Sequence, residues 1–164
     1  MSATIAPPIE QRDTFACFGS SCTLIVGGGS EAQDAAALAN ARRRLEAWHE
    51  QFSRFRSDSE LTRLNRNPAE TVLVSPLMRR VVEAGVQAAR ATDGLVDPTL
   101  LTQIEQAGYR SHYDGPGVPL PSALAMAPAR RPGRPAAEAH WRLVSTDRRT
   151  SSVTRPAGVQ IDPG

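Results

Sequence analysis

The sequence predicts an α+β domain, a mixed sheet with helices against it. Three observations carry this: short extended segments rich in β-branched and aromatic residues, helical stretches with apolar residues at steps of three and four, and glycine or proline at the joints between them. At 164 residues the chain fits a single domain. Residues 1–13 read as a flexible N-terminus. Residues 14–164 read as the domain, with 111–139 as a loop or linker inside it.

The first element is an extended segment, Phe15 to Val26, closed by a turn at Gly27-Gly28-Gly29. Cys17 and Cys22 fall five apart on it, which places their side chains on opposite faces. They read as small packing residues, with no shared disulfide or metal. Ser30 then opens a long helix running through Phe52, on which Leu38, Ala41, Leu45, Trp48 and Phe52 make an apolar stripe meant to pack on a sheet.

Asp58 or Ser59 caps a short second helix carrying Leu61 and Leu64, and the chain turns near Asn65-Arg66-Asn67-Pro68. Thr71–Val74 is a short strand. Ser75-Pro76 is a good N-cap and first-turn pair for a helix to Thr92 with Leu77, Val81, Val82 and Val86 inward, stopped by Asp93-Gly94. A third helical stretch follows Thr99 and runs to about Gly108. From Ser111 to Pro135 the composition shifts to Gly, Pro, Ala and Arg with no period. Trp141–Ser145 and Ser152–Thr154, separated by Asp147-Arg148-Arg149-Thr150, read as a hairpin, and Val159–Ile161 as the start of a further strand.

Composition narrows the function classes. All 19 basic residues are arginine, and acidic residues interleave with them to leave a formal charge of only +2. Nucleic-acid binding needs arginines gathered on one face, whereas Arg42-Arg43-Arg44 and Arg79-Arg80 each fall inside an amphipathic helix and read as solvated helix faces. Met1–Arg12 has no continuous apolar core, so it is neither a secretory signal nor a membrane span, and a cytoplasmic location is expected. His49, His112 and His140 stand in no ligand spacing that would suggest zinc, and no glycine-rich phosphate loop with a lysine occurs.

Three segments carry more than composition. They are Phe52–Asn65 (FSRFRSDSELTRLN), Ala91–Thr99 (ATDGLVDPT) and Gly158–Gly164 (GVQIDPG). Their order and spacing resemble the flavin transferase family ApbE, whose elements read S-x-F/Y-x-x-x-S-E-L-x-x-x-N, T-D-G-x-x-D-x-T and D-x-G-G-x-x-K-G. Upstream, Phe18-Gly19-Ser20 resembles the family's M-G-T segment with phenylalanine in place of methionine.

The resemblance implies an ApbE-like α+β fold that is incomplete at its C-terminus, with FAD as substrate and magnesium at its phosphates. The implied reaction moves FMN from FAD to a threonine hydroxyl of a flavoprotein partner and releases AMP, a phosphoryl transfer catalysed mainly by positioning and charge stabilisation. It also implies that Phe18, Phe55, Leu95, Val96 and Asp97 touch FAD, with Phe55 offering an aromatic face and Asp97 an acceptor, and that Asp162 sits at the edge of the flavin site. The family's C-terminal magnesium ligands and histidine have no counterpart here. No catalytic or metal-binding residue is therefore assigned, and the chain alone is expected to turn over weakly or not at all.

Local readings stand beside these. Asp97 also suits a cap for a helix opening at Pro98, Phe55 suits a core aromatic continuing the Trp48–Phe52 stripe, and Asp58 and Glu60 suit cap and first-turn charges. Two other functions stay open: an FAD-binding fragment without turnover, and a non-enzymatic α+β interaction domain whose motif likeness is accidental.

Overall fold

The computed structural model describes residues 10–111, 117–127 and 132–162. His112, Pro163 and Gly164 lie outside them. The chain divides into two compact units, one ending at Ser53 and the other beginning at Arg54.

The first unit is a hairpin against a helix. Strands β1 (Glu10–Cys17) and β2 (Ser20–Gly27) pair antiparallel, from Glu10 opposite Gly27 to Cys17 opposite Ser20. The single extended segment expected from Phe15 to Val26 is thus two strands. Phe18 and Gly19 reverse the chain between them, both at positive φ (53° and 73°), as a two-residue type I′ turn requires. The reversal also moves the cysteines. Cys22 lies opposite Phe15, and Phe15 shares a face with Cys17, so both thiols point to the same side and not to opposite faces. Both are free, and burial pushes the Cys17 thiol up, as suits a packing group.

Helix α1 (Glu31–Phe52) starts at a capping box: the Gln33 amide donates to Ser30 Oγ, and Gln33 Oε1 accepts the Ser30 amide at 2.9 Å. It covers the hairpin face carrying Phe15 and Cys17, and Leu38 is buried there. Arg42 lays its guanidinium 4.7 Å from the Phe15 ring centroid and donates to Asp13 and Glu46. Arg43 and Arg44 are exposed.

The second unit begins with α2 (Glu60–Arg66), capped by Ser59, whose Oγ accepts the Thr62 amide at 3.0 Å. Strand β3 (Thr71–Leu73) leads into α3 (Pro76–Ala91), capped by Ser75 with proline at the first position. Its buried line is Met78, Val82, Val86 and Ala89, while Leu77 and Val81 are half-buried. Arg79 is buried too, against the reading of Arg79-Arg80 as a solvated face. Glu83, one turn on, accepts from it at 2.8 Å, which makes that burial tolerable.

Helix α4 (Leu101–Gln106) follows, and a short α5 (Leu120–Met126) lies within the segment read as loop, with no buried residue. Trp141 belongs to a 3₁₀ turn, His140–Leu143, so the second hairpin starts later than expected, at β4 (Ser145–Asp147), and returns as β5 (Ser152–Thr154). The strands order as β3-β5-β4, all antiparallel. The described strands thus form two small antiparallel sheets, of two and three strands, within an α+β fold.

Leu61, Leu64, Met78, Val82, Leu101, Val144, Val153 and Ile161 make the core of this unit. Each buried aliphatic side chain contributes about 1.5–3 kcal/mol. No helix among the described residues is long and apolar enough to cross a membrane.

Candidate functional site

Helix α3 ends in a turn that presents three consecutive residues of interest, Leu95, Val96 and Asp97. The Gly94 amide donates to Ala89 O at 2.8 Å and the Asp93 amide to Arg90 O at 3.3 Å, with Asp93 and Gly94 at φ 48° and 85°. A Cβ on Gly94 would lie 3.0 Å from Trp141 Nε1 and 3.3 Å from Pro135 Cβ, so the position admits glycine on both conformational and steric grounds. Thr92 Oγ1 donates to Ala88 O and accepts the Val96 amide at 3.0 Å, which folds the next residues back over the helix end.

Leu95 and Val96 then stand out in solvent, 61% and 50% exposed. Asp97 turns inward. Its Oδ1 accepts from the Thr99 amide at 2.8 Å and the Thr99 hydroxyl at 2.6 Å, while Oδ2 is buried without a hydrogen-bond partner among the described residues. Asp97 does not cap a helix opening at Pro98, because α4 begins only at Leu101, with Leu100 at its cap. Its carboxylate makes an Asx-type turn two residues long instead. A buried carboxylate oxygen without a donor is costly, and a donor supplied by a ligand would offset that cost.

The first motif approaches this turn through the third. Asn65 holds Ile161 by both backbone groups: its Nδ2 donates to Ile161 O, and its Oδ1 accepts the Ile161 amide, each at 2.8 Å. The next amide, Asp162, donates to Pro98 O at 2.8 Å. Val159–Ile161 is therefore not a strand among the described residues; a side chain and a turn carbonyl take the bonds that a neighbouring strand would have taken. Asp162 Oδ2 lies 3.5 Å from Arg54 Nε, and the Arg54 guanidinium lies 4.2 Å from the centroid of the Phe55 ring. Phe55, Asp97 and Asp162 are in this way linked through consecutive contacts inside the second unit.

Phe55 is half-buried and meets Tyr109 edge-on at 5.6 Å, so it does not continue the α1 stripe as a core aromatic. Phe18 belongs to the first unit. It is 47% exposed at the tip of the hairpin, its amide donates to His49 Nδ1 at 3.3 Å, and its ring meets the imidazole edge-on.

Glu60 does more than sit in a first turn. Its carboxylate accepts from the amide and hydroxyl of Ser75, at 2.5 and 2.8 Å, and so fixes the start of α3 against α2. Asp58 pairs with Arg56 on the surface, and that hydrogen bond holds its carboxyl below the usual range. Arg54, Asn65 and Tyr109 carry no role in the motif reading. Asn65 ends the first motif and could have been singled out from it, whereas nothing local marks Tyr109 as a neighbour of Phe55.

Among the described residues no group of three or more His, Cys, Asp or Glu side chains could hold a metal ion. The described residues do not fit a magnesium site, so none is assigned to the ion and no step is derived through it.

The ApbE family model matches residues 18–164. Three similar solved structures are the ApbE protein from Thermotoga maritima (22% identity, TM-score 0.69), the apo form of the flavinyl transferase ApbE from Pseudomonas stutzeri (21%, 0.70) and the flavin transferase ApbE from Vibrio cholerae (20%, 0.71). They cover 95%, 98% and 96% of this chain, which in turn spans 47%, 51% and 48% of theirs, about half of their length. No curated protein sequence matches the chain.

Proposed function

The chain belongs to the ApbE family, and from that membership we propose that it takes part in flavin transfer, using the turn Leu95–Asp97 together with Phe55 and Asp162 to bind FAD. The observation that carries the proposal is the buried Asp97 Oδ2, which no donor among the described residues satisfies. A flavin ring offers ring N–H groups, and its ribityl chain and ribose offer hydroxyls; any of these could donate to that oxygen. Leu95 and Val96 add an exposed apolar edge beside it, and Phe55 an aromatic face. Phe18 is proposed as a flavin contact from the family resemblance alone. The family match removes the reading in which the motif likeness is accidental.

The proposed reaction is displacement at the FMN-side phosphorus of FAD. A threonine hydroxyl of a flavoprotein partner attacks, the new P–O bond forms as the pyrophosphate P–O bond breaks, and AMP leaves with the electron pair of that bond. The residues described here bind and orient the flavin end. The hydroxyl proton passes to solvent, and neither it nor the charge at the phosphates is assigned to a residue of this chain.

Titration of FAD with the chain, followed by flavin fluorescence, tests the binding. Saturable binding that Asp97→Ala weakens at least fivefold supports the reading. A folded chain that leaves FAD fluorescence unchanged across the titration overturns it for this chain. Incubation of the chain with FAD, magnesium and a threonine-containing acceptor then separates transfer from binding alone: released AMP and a flavin-labelled acceptor mark an enzyme, and binding without AMP marks a binding unit.

A further inference from the structure

Arg54 lies beside the predicted flavin contact and has no role of its own so far. Its side chain is 8% exposed, so a permanent cation has been taken out of water, and such burial requires specific partners. Three partner residues come from distant parts of the chain, and the fourth, Phe55, is its neighbour in sequence. Nη2 donates to Tyr109 O at 2.7 Å, Nε lies 3.5 Å from Asp162 Oδ2, Nη1 lies 3.7 Å from Glu105 Oε1, and the guanidinium plane sits 4.2 and 4.3 Å from the ring centroids of Phe55 and Tyr109.

Among the described residues two other arginines are buried, and they make the contrast: Arg79 pairs with Glu83 one turn on in its own helix. Arg155 donates through Nη2 to Leu64 O and Asn67 O at the end of α2 and has no carboxylate within ion-pair distance among the described residues, as a purely structural arginine would. Arg54 instead touches the aromatic and the carboxylate that the first and third motifs contribute.

We propose that Arg54 is a positioning residue: it holds Phe55, Tyr109 and Asp162 as one wall, with the guanidinium as the fixed point between the two rings and the carboxylate. That this wall faces a flavin rests on the function proposed above; the tether itself rests on the geometry. A planar fork with two π-faces can donate to a carbonyl, lie beside two carboxylates and sit over two rings together, which a lysine ammonium cannot; Nη1, 3.7 Å from Glu105, is buried without a hydrogen-bond partner among the described residues.

The test uses the full chain and three variants, Arg54→Ala, Arg54→Lys and, as a control of comparable stability loss, Val82→Ala in the core of the same unit. Two quantities are read: the FAD dissociation constant, and hydrogen exchange at the Asp162 amide relative to the Leu64 amide. Arg54→Ala should raise the dissociation constant at least tenfold and speed Asp162 exchange at least tenfold while Leu64 stays protected. Arg54→Lys should recover only part of either, and Val82→Ala should leave FAD affinity within twofold.

Unchanged affinity and unchanged Asp162 exchange in Arg54→Ala would overturn the proposal, as would equal losses of affinity in Arg54→Ala and Val82→Ala. The two readings fail separately. Selective exposure of Asp162 in a chain that never binds FAD keeps the tether and removes the flavin; FAD binding with Asp162 exchange unchanged in Arg54→Ala keeps the flavin and removes the tether.

Discussion

Residues 10–53 and residues 54–162 are held by different kinds of bond. In the first unit the strands are neighbours in sequence, joined by a two-residue turn, and the side-chain bonds that tie helix to hairpin span modest separations, such as Phe18 to His49, 31 residues apart. In the second, Asn65 grips Ile161 across 96 residues and Arg155 reaches Leu64 across 91. Local order thus dominates one unit, and a few long-range side-chain clamps close the other. The residues proposed to meet flavin sit mostly where the clamps are.

Arg155→Ala should give the largest effect that separates the two. It removes a buried cation that donates to two carbonyls at the end of α2 and leaves a cavity, with the Asn67 carbonyl losing its arginine donor while Leu64 O keeps the Asn67 amide, at a cost of about 3 kcal/mol. Urea unfolding followed by far-UV circular dichroism measures it. Hydrogen exchange should place the loss in residues 54–162, and equal loss of protection in α1 would contradict the division.

Asn65→Ala comes next, at about 2 kcal/mol, because the Ile161 amide and carbonyl both lose their partner in a fully buried residue. Asn65→Asp keeps the acceptor for the amide and loses the donor to the carbonyl, so its midpoint should fall between those of wild type and Asn65→Ala. If Asn65→Asp equals Asn65→Ala, the clamp does not work through two independent bonds.

The same contrast explains what could be read from the amino acids alone. Helices α1 and α3 were legible with their ends, because Ser30 and Ser75-Pro76 are local signals and the apolar steps are periodic. The β1–β2 turn was hidden, since Phe18 is a bulky residue in a conformation that glycine, asparagine or aspartate usually take, and nothing in Phe18-Gly19 advertises a reversal. Val159–Ile161 has the composition of a strand, but its bonds go to Asn65 and its neighbour's to Pro98. Charge misled at Arg79, which is buried because Glu83 follows at the next turn. Phe55, Asp97 and Asp162 were legible only through motif likeness, while Arg54 and Tyr109 meet across 55 residues that no local pattern spans.

Ser30→Ala probes the local side of the comparison. Loss of the capping box should cost about 1 kcal/mol, with exchange rising in the first turn of α1 and the second unit unaffected. Phe18→Asn should act in the opposite direction. It converts the hairpin turn to an Asn-Gly pair suited to positive φ, and a gain of about 0.5 kcal/mol is expected, visible as a higher urea midpoint. A gain in stability accompanied by weaker FAD binding would mark Phe18 as a residue kept for its ligand at the expense of its fold.

Acid should act least, and in the second unit. The Arg148 and Arg79 hydrogen bonds hold the Glu83 carboxyl below its ordinary 4.5, and the Thr150 hydroxyl and Arg149 amide hold Asp147 below its ordinary 3.8. Groups with lowered folded values stabilise fully above their unfolded values and lose that contribution as pH falls through the folded ones. The β4–β5 turn should therefore lose protection, taken relative to the intrinsic exchange rate at each pH, below about pH 4 and keep it between pH 5 and 8, which protection measured across that range decides.

The close approach of Trp141 to Gly94 has an optical consequence. The chain has two tryptophans, one in each unit: Trp48 on α1, 37% exposed, and Trp141, 6% exposed, with its indole nitrogen against the turn that leads into Leu95–Asp97. Their emission should differ in colour, red-shifted for the wet indole and blue-shifted for the dry one. Trp48→Phe would leave a chain whose tryptophan emission all comes from beside that turn, so that with tryptophan excited selectively over the two tyrosines, light from a single residue reports on the region where the ligand is proposed to bind.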